Sequence, residues 1–426
     1  MEDRTGRRAG ARGRTAIVLG LALTAWGGCD SLLDVESDPQ TVDADSPVSL
    51  SAALVGATAD LFQSYDSFIV WAGLFNDEFV NSGTAPGVQA WDRRDVDADC
   101  CGGVGRGSSI GGGNYGLIQR AVAISDIQQD RLEAGEFAEY PDGGTNAEEY
   151  ALFAAYTGFA KTWIGDLWCS AAFGGVGPEL STSEVYATAE AEFTAAIEAA
   201  DVADDIRQLA LVGRARVRLF MGDQAGALQD AQQVDPEFEY LANYSTASFE
   251  QRNRIHFRTW DFANWSVGPA FRDLTIDDTG LPDPRVSLEL DPRPAFEPSQ
   301  PLYAPLKVPS PSTSLRIASG DEARYIIAEI TGGQAAVDII NDIRGRHGID
   351  IEWTPSGTPS NEILLKVIDE RKRTLFLEGV RQGDMRRYLD QYGLDFFPTS
   401  TPQGFPMGDQ TCIPLPEVER NNNPDL

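Results

Sequence analysis

Eleven prolines fall within residues 235–314, at positions 236, 269, 282, 284, 292, 294, 298, 301, 305, 309 and 311. Proline has no N–H to donate and a fixed φ, so that density forbids a continuous helix or a central strand. The stretch must fold as loops laid against something else, and its flanks say what. Residues 50–62 place Leu50, Leu54, Ala57 and Leu61 on one helical face. The same periodicity returns at 115–132, 148–163, 183–199, 204–221, 224–234, 323–330, 335–347 and 361–381. The 426-residue chain therefore reads as mainly α, a single helical body with a loop-rich half. Residues 209–234 and 322–346 each run as an Ala-containing helix, a glycine stop (Gly222-Asp223; Gly332-Gly333) and a second Ala-containing helix. Small residues let paired helices approach closely, and both units resemble degraded tetratricopeptide repeats.

Charge narrows the function. With 65 acidic against 34 basic side chains the net charge is −31, which repels phosphate backbones and argues against any nucleic-acid partner. Two histidines, His256 and His347, leave little material for a metal site, and none is expected. At the N-terminus five arginines precede an apolar run over 16–26, which suits an export signal and is too short to cross a bilayer as a helix. It ends in Trp26-Gly27-Gly28-Cys29, which resembles a bacterial lipobox with Trp in place of the usual leucine. Residues 1–28 are thus expected to be a lipoprotein signal peptide and Cys29 the lipidated residue. The acidic, proline-containing residues 29–47 read as a tether.

Patterns for catalysis do not assemble. Gly107-Ser108-Ser109-Ile110-Gly111 matches the serine-hydrolase elbow, but glycine-rich loop precedes it where a strand is required. Asp95, Asp97 and Asp99 mimic the start of an EF-hand, yet Cys100 stands where Gly is needed and Arg106 where Glu is needed. No phosphate-binding loop pattern occurs, and no cofactor is expected. A secreted hydrolase on a helical scaffold is the alternative to a binding protein.

Glu370-Arg371, Leu375, Glu378-Gly379, Arg381, Asp384 and Arg387 lie on an amphipathic helix running into a second one. This order resembles the C-terminal signature of the SusD/RagB family of outer-membrane nutrient-uptake lipoproteins. Thr374 stands where that family usually has Glu. Four further stretches agree in order: Cys29 followed by Leu32-Leu33-Asp34-Val35 and Pro39; Asp283-Pro284-Arg285 with Lys307 and Leu315-Arg316; Ala328-Glu329 through Gly333, Ala336, Asn341, Arg344, Arg346 and Gly348; and Pro414-Leu415-Pro416 with Glu419 and Asn423-Pro424. The resemblance implies tetratricopeptide-like helix pairs in a region 48–234, a C-terminal region 235–426 that begins with the aromatic, Pro-rich loops 235–314, a surface-exposed outer-membrane anchor, and a SusC-like TonB-dependent transporter as partner. It implies capture of oligosaccharides or peptides without catalysis. Glu370, Arg371, Glu378, Arg381 and Asp384, beside Leu375 and Phe376, are expected to form a partly buried structural ion-pair network, Glu378 and Arg381 one turn apart and Glu370 two turns earlier.

The family's binding residues lie outside these motifs, so the ligand contacts are chosen by chemistry. Flat aromatic faces stack on sugar rings, and carboxylates or amides bond hydroxyls. Trp71, Asn76, Asp77 and Trp91 in a first long loop, with Trp260 and Trp265 in the second, are the expected ligand-binding set. Of the cysteines, Cys100, Cys101, Cys169 and Cys412 allow three pairings in an oxidising compartment. Cys169 with Cys412 is expected, because it would pin the proline tail to a helix end; Cys100 and Cys101 are then free or joined to each other.

Overall fold

Glycines decide how the helices meet. The computed structural model describes residues 49–98, 114–144, 148–199, 202–293, 295, 301–357 and 361–426; the signal and tether with Cys29, Cys100 and Cys101, Asp99, and the serine-elbow pattern lie outside them. The chain runs α1 (Leu50–Phe75), β1 (Phe79–Asn81), α2 (Pro86–Asp92), α3 (Asn114–Glu133), α4 (Glu148–Leu167), β2 (Ser170–Ala171), β3 (Leu180–Ser181), α5 (Thr182–Glu198), α6 (Asp204–Met221) and α7 (Gln224–Ala231). Consecutive helices from α3 to α7 pack on one another. At the centre of this stack the Phe193 ring of α5 sits over Gly158 of α4 and Gly213 of α6, where an added Cβ would lie 2.7 and 2.4 Å from it. Gly222, in the left-handed region at φ 84°, ends α6, and Asp223 caps α7 by accepting from Gly226 N–H.

α1 is longer than its periodicity predicts. Every residue from Ser64 to Phe75 is buried, so the second half of this helix is apolar on nearly all sides and has no stripe to read.

The proline-rich half is not strandless. It holds β4 (Glu239–Ala242), α8 (Arg254–His256), a π-helical turn over Phe257–Asp261, β5 (Trp265–Val267), β6 (Leu288–Asp291) and β7 (Leu302–Pro305). β8 (Leu315–Ser319) then leads into α9 (Gly320–Thr331), α10 (Gly333–Arg346), α11 (Glu362–Thr374), α12 (Arg381–Tyr392) and α13 (Glu417–Asn422). The strands form antiparallel pairs, β1–β5, β2–β3, β4–β8 and β6–β7. Two-stranded pairs have only edges, which is where proline is tolerated, and Pro305 closes β7. The molecule is mainly α, and no helix among the described residues is long and apolar enough to cross a membrane.

Candidate functional site

The stretch 361–381 reads as one helix but breaks at Thr374. Leu377 takes φ 58° and Gly379 φ 70°, and the turn is fixed from outside: Glu78 accepts from Leu377 N–H at 2.8 Å, and Lys307 Nζ donates to the Phe376 carbonyl at 2.7 Å. Gly379 lies under Tyr65, Phe68 and Ile69 of α1, with room for nothing larger at that φ. Glu378 and Arg381 therefore do not pair with each other as their spacing predicts. Glu370 binds Arg285 (2.6 Å), Glu378 binds Arg316 (2.6 Å) and Lys307, Arg381 binds Asp77 (2.6 Å), and Arg371 binds Asp384 (2.7 Å). Thr374 fills its place with a hydroxyl that accepts from Arg285 at 3.1 Å and meets Tyr325 Oη at 3.0 Å.

Five of the six residues chosen as ligand contacts are taken up by the fold. Asp77 is clamped by the Arg381 guanidinium through both carboxylate oxygens, and Asn76 is buried with its Oδ1 accepting from Glu78 N–H. Trp71, Trp91 and Trp265 are 6, 1 and 0% exposed. They pack on one another, Trp71 at 5.0 Å from Trp91 and 5.3 Å from Trp265 between ring centroids. The buried Arg258 guanidinium lies 5.1 Å from the Trp265 ring, and burial with Arg254 nearby pulls its pKa down to about 10. These tryptophans are core residues with no face open to solvent, since the largest aromatic bodies gain most from full burial.

Two exposed surfaces are built from neighbouring segments. The first is an aromatic platform carried by α8 and the π turn, in which Phe262 N–H bonds the Phe257 carbonyl at 2.8 Å. Asn253 caps it, accepting from Ile255 and His256 N–H, and Asp66 of α1 accepts from Arg254 N–H at 2.7 Å. Phe249 and Phe262 stand 40 and 46% exposed on either side of Phe257, with centroids 5.1 and 5.7 Å from it. Trp260, the remaining nominated residue, is partly exposed in the same turn.

The second is a cleft of about 260 Å³ lined by Asn81, Gln89, Asp92, Arg93, Thr401 and Phe405. β1 and α2 form one wall: Asp92 accepts from Asn81 N–H at 2.8 Å. The cleft adjoins the platform's segment through Ser82 N–H, which bonds the Asn264 carbonyl at 2.7 Å. The other wall is the turn at Thr401–Phe405, closed by Thr401 N–H on the Phe405 carbonyl. Phe405 is 51% exposed, and the Arg93 guanidinium lies 4.8 Å from its ring centroid. Arg93 makes no ion pair or side-chain hydrogen bond among the described residues. Amides, a hydroxyl, a carboxylate and a guanidinium beside a flat ring are a set suited to hydroxyl-bearing ligands.

Burial pushes the Asp92 carboxyl up to about 7, against the Asn81 hydrogen bond and the charge of Arg93. A carboxyl raised by folding contributes stability below its unfolded value near 3.8, and that contribution is lost as pH rises through about 7. Wild-type stability measured against Asp92→Asn by urea unfolding is expected to fall from pH 4 to 7 and to level off above; a flat difference would reject the burial argument.

The tail that supplies Phe405 is tied down at several points. Arg94, in the left-handed region at φ 51°, donates to the carbonyls of Gln410 (2.9 Å) and Pro398 (2.7 Å), and Gly408 N–H bonds the Arg93 carbonyl. Cys169 and Cys412 form a disulfide with Cα atoms 5.1 Å apart, beside a parallel bridge between Trp168 and Ile413. Phe405, Arg93, Gln89, Asn81 and Phe249 did not stand out in the sequence; Phe405 is one of three phenylalanines in the tail 395–426.

Residues 322–425 match the sequence model of the SusD family. A search of curated proteins finds no match. Among solved structures, the chain is similar to a SusD superfamily protein from Bacteroides fragilis (TM-score 0.68, 14% identity, covering 90% of this chain and 99% of that one). It is similar to a SusD-like carbohydrate binding protein from Bacteroides vulgatus (TM-score 0.64, 15% identity, 88% and 96%) and to a laminarin binding SusD-like protein (TM-score 0.60, 15% identity, 88% and 97%). The SusD family's sequence signature thus lies on the C-terminal helices, residues 322–425, and the chain shares the fold of SusD superfamily structures over nearly all of its length.

Proposed function

We propose that this protein is a non-catalytic, surface-exposed lipoprotein that captures oligosaccharides and hands them to a SusC-like TonB-dependent outer-membrane transporter. The observation that carries the reading is a polar cleft beside the exposed, flat Phe405 ring, with a second exposed aromatic, Phe262, on the segment that the Ser82–Asn264 hydrogen bond ties to the cleft wall. The carbohydrate-binding and laminarin-binding relatives support a glycan as cargo. Among the described residues the cleft lining holds a single carboxylate, Asp92, which is no partnered acid and base for glycoside hydrolysis. In this reading residues 1–28 are the signal, 29–47 the tether, 48–234 the helical N-terminal region and 235–426 the C-terminal region.

Affinity electrophoresis over laminarin, starch, xylan, galactomannan and dextran tests the cargo. Phe262→Ala and Phe405→Ala are each expected to weaken binding roughly tenfold or more, the loss of about 1.5–3 kcal/mol for an exposed aromatic that becomes buried on its ligand. Their melting temperatures stay near wild type, whereas Trp265→Ala costs about 3–5 kcal/mol of stability as a core truncation. Wild-type retardation by both phenylalanine variants would sink the assignment. The anchor is tested in the native host with a palmitate analogue, which should label wild type and not Cys29→Ala, and detergent extraction should recover a large barrel protein with the labelled chain. Equal labelling of both forms would contradict the anchor, and recovery of the chain alone would contradict the partner.

A further inference from the structure

α10 and the loop 349–357 line a second cavity, open to solvent and of about 400 Å³, which shares no lining residue with the cleft. That volume lies in the range of roughly 300–1,000 Å³ typical of small-molecule sites. Its lining brings Trp353, Glu352 and Thr354 of the loop against Gln334, Asp338 and Asp342 of α10.

The loop is built to hold its shape. Asn341, one of the residues that carries the family resemblance, grips the Trp353 backbone twice: its Nδ2 donates to the Trp353 carbonyl at 2.9 Å, and its Oδ1 accepts from Trp353 N–H at 2.8 Å. Glu362 accepts from Ser356 and Gly357 N–H, both at 2.9 Å. Trp353 is held from behind by the buried cluster that contains Ile340 and Val367, and Lys366 Nζ lies 5.7 Å from its ring centroid. An indole fixed in this way presents an aromatic wall without losing side-chain entropy when a ligand arrives.

The polar lining selects the ligand. Asp342 already pairs with Arg324, and Asp338 accepts from Gln334 at 2.8 Å. Glu352 is exposed and makes no ion pair among the described residues. No basic side chain lines the cavity, so carboxylate, sulfate or phosphate groups on a ligand are repelled. No described cluster of His, Cys, Asp and Glu is arranged to hold a metal ion. What remains is a ring with an apolar face for the indole and hydroxyl donors for the carboxylates and amides.

We propose that this cavity is a second binding site, for a neutral sugar ring, so that the protein engages a long glycan at two separate places. The proposal rests on the glycan reading of the cleft and adds a site remote in sequence. Two linked contacts on one polysaccharide raise the overall affinity without any change in either site.

Titration calorimetry on the mature full-length chain tests it, using neutral oligosaccharides cut from whichever polysaccharide of the panel is retained. Wild type should bind about two ligands per chain, and Phe405→Ala and Trp353→Ala about one each. Glu352→Ala, on an exposed residue, should weaken one site several-fold with no change in melting temperature, which guards against a folding defect in the tryptophan variant. Affinity for the parent polysaccharide should fall at least tenfold in Trp353→Ala. One ligand per chain, lost in Phe405→Ala and unchanged by Trp353→Ala and Glu352→Ala, would overturn the second site and leave the glycan reading standing. Absence of binding to the whole panel by wild type would remove both. Binding of a tri-lysine peptide that depends on Trp353 and Glu352, with no sugar bound there, would overturn the ligand class.

Discussion

Replacing Arg371 by methionine is expected to cost about 3–5 kcal/mol of folding free energy, the penalty for removing one partner of a buried ion pair. Arg371 Nε donates to Asp384 at 2.7 Å, and Nη1 and Nη2 reach the carbonyl and Oε1 of Glu322, both at 3.4 Å. All three residues are buried. Glu322 keeps Arg216 at 2.7 Å and Asp384 keeps Arg387 at 3.2 Å, so neither is abandoned, but each loses a counter-charge. Burial alone would raise the Asp384 carboxyl; Arg371 and Arg387 overcome it and hold the carboxyl below its usual range. A carboxyl depressed by folding contributes stability above its unfolded value, lost as pH falls through the folded one. The cost of Arg371→Met should therefore be full at pH 7 and shrink on acidification, as protonation neutralises Asp384. Urea unfolding at pH 7 and at about pH 4 checks this; a loss below about 1 kcal/mol at pH 7 would mean that the network is dispensable.

Cys412→Ala should have an effect of similar size, with a consequence for binding. The disulfide spans 243 residues, and the chain-entropy model assigns a loop of that length about 5 kcal/mol, with part of it returned where other contacts hold the tail. Those contacts exist at Arg94, Gly408 and Ile413. The tail is therefore expected to loosen locally before the body unfolds, which moves Phe405 away from Arg93 and opens the wall of the cleft. Hydrogen exchange should accelerate across 398–413, and glycan affinity should fall at a temperature where α4–α6 remain protected. Unchanged exchange in the tail would show that the backbone ties suffice alone.

Legibility in the sequence followed the range of the forces involved. The helix pairs and the stops at Gly222 and Gly332-Gly333 were readable because 3.6-residue periodicity and left-handed glycines are local. The second half of α1 was not, because burial on nearly all sides erases the stripe. The break after Thr374 is imposed by Glu78 and Lys307, far away in the chain, and no local pattern announces it. The members of the ion-pair network were readable as charges beside apolar residues, while their partners, such as Asp77 for Arg381, were not. Tryptophan was a poor guide to the surface: Trp71, Trp91 and Trp265 are buried, and exposed aromatic faces belong to Phe249, Phe262 and Phe405. Carboxylates were too numerous for any pair to stand out.

In the proposed function this chain holds a glycan at the cleft between α2 and the tail and leaves it intact. Calorimetric titration of the retained oligosaccharide, followed by chromatography of that ligand after prolonged incubation with the protein, tests both halves on one sample. Saturable heat that loses the cleft's share in Phe405→Ala is expected, with quantitative recovery of the starting oligosaccharide. Shortened products that disappear in Asp92→Asn would contradict it and make the protein a hydrolase.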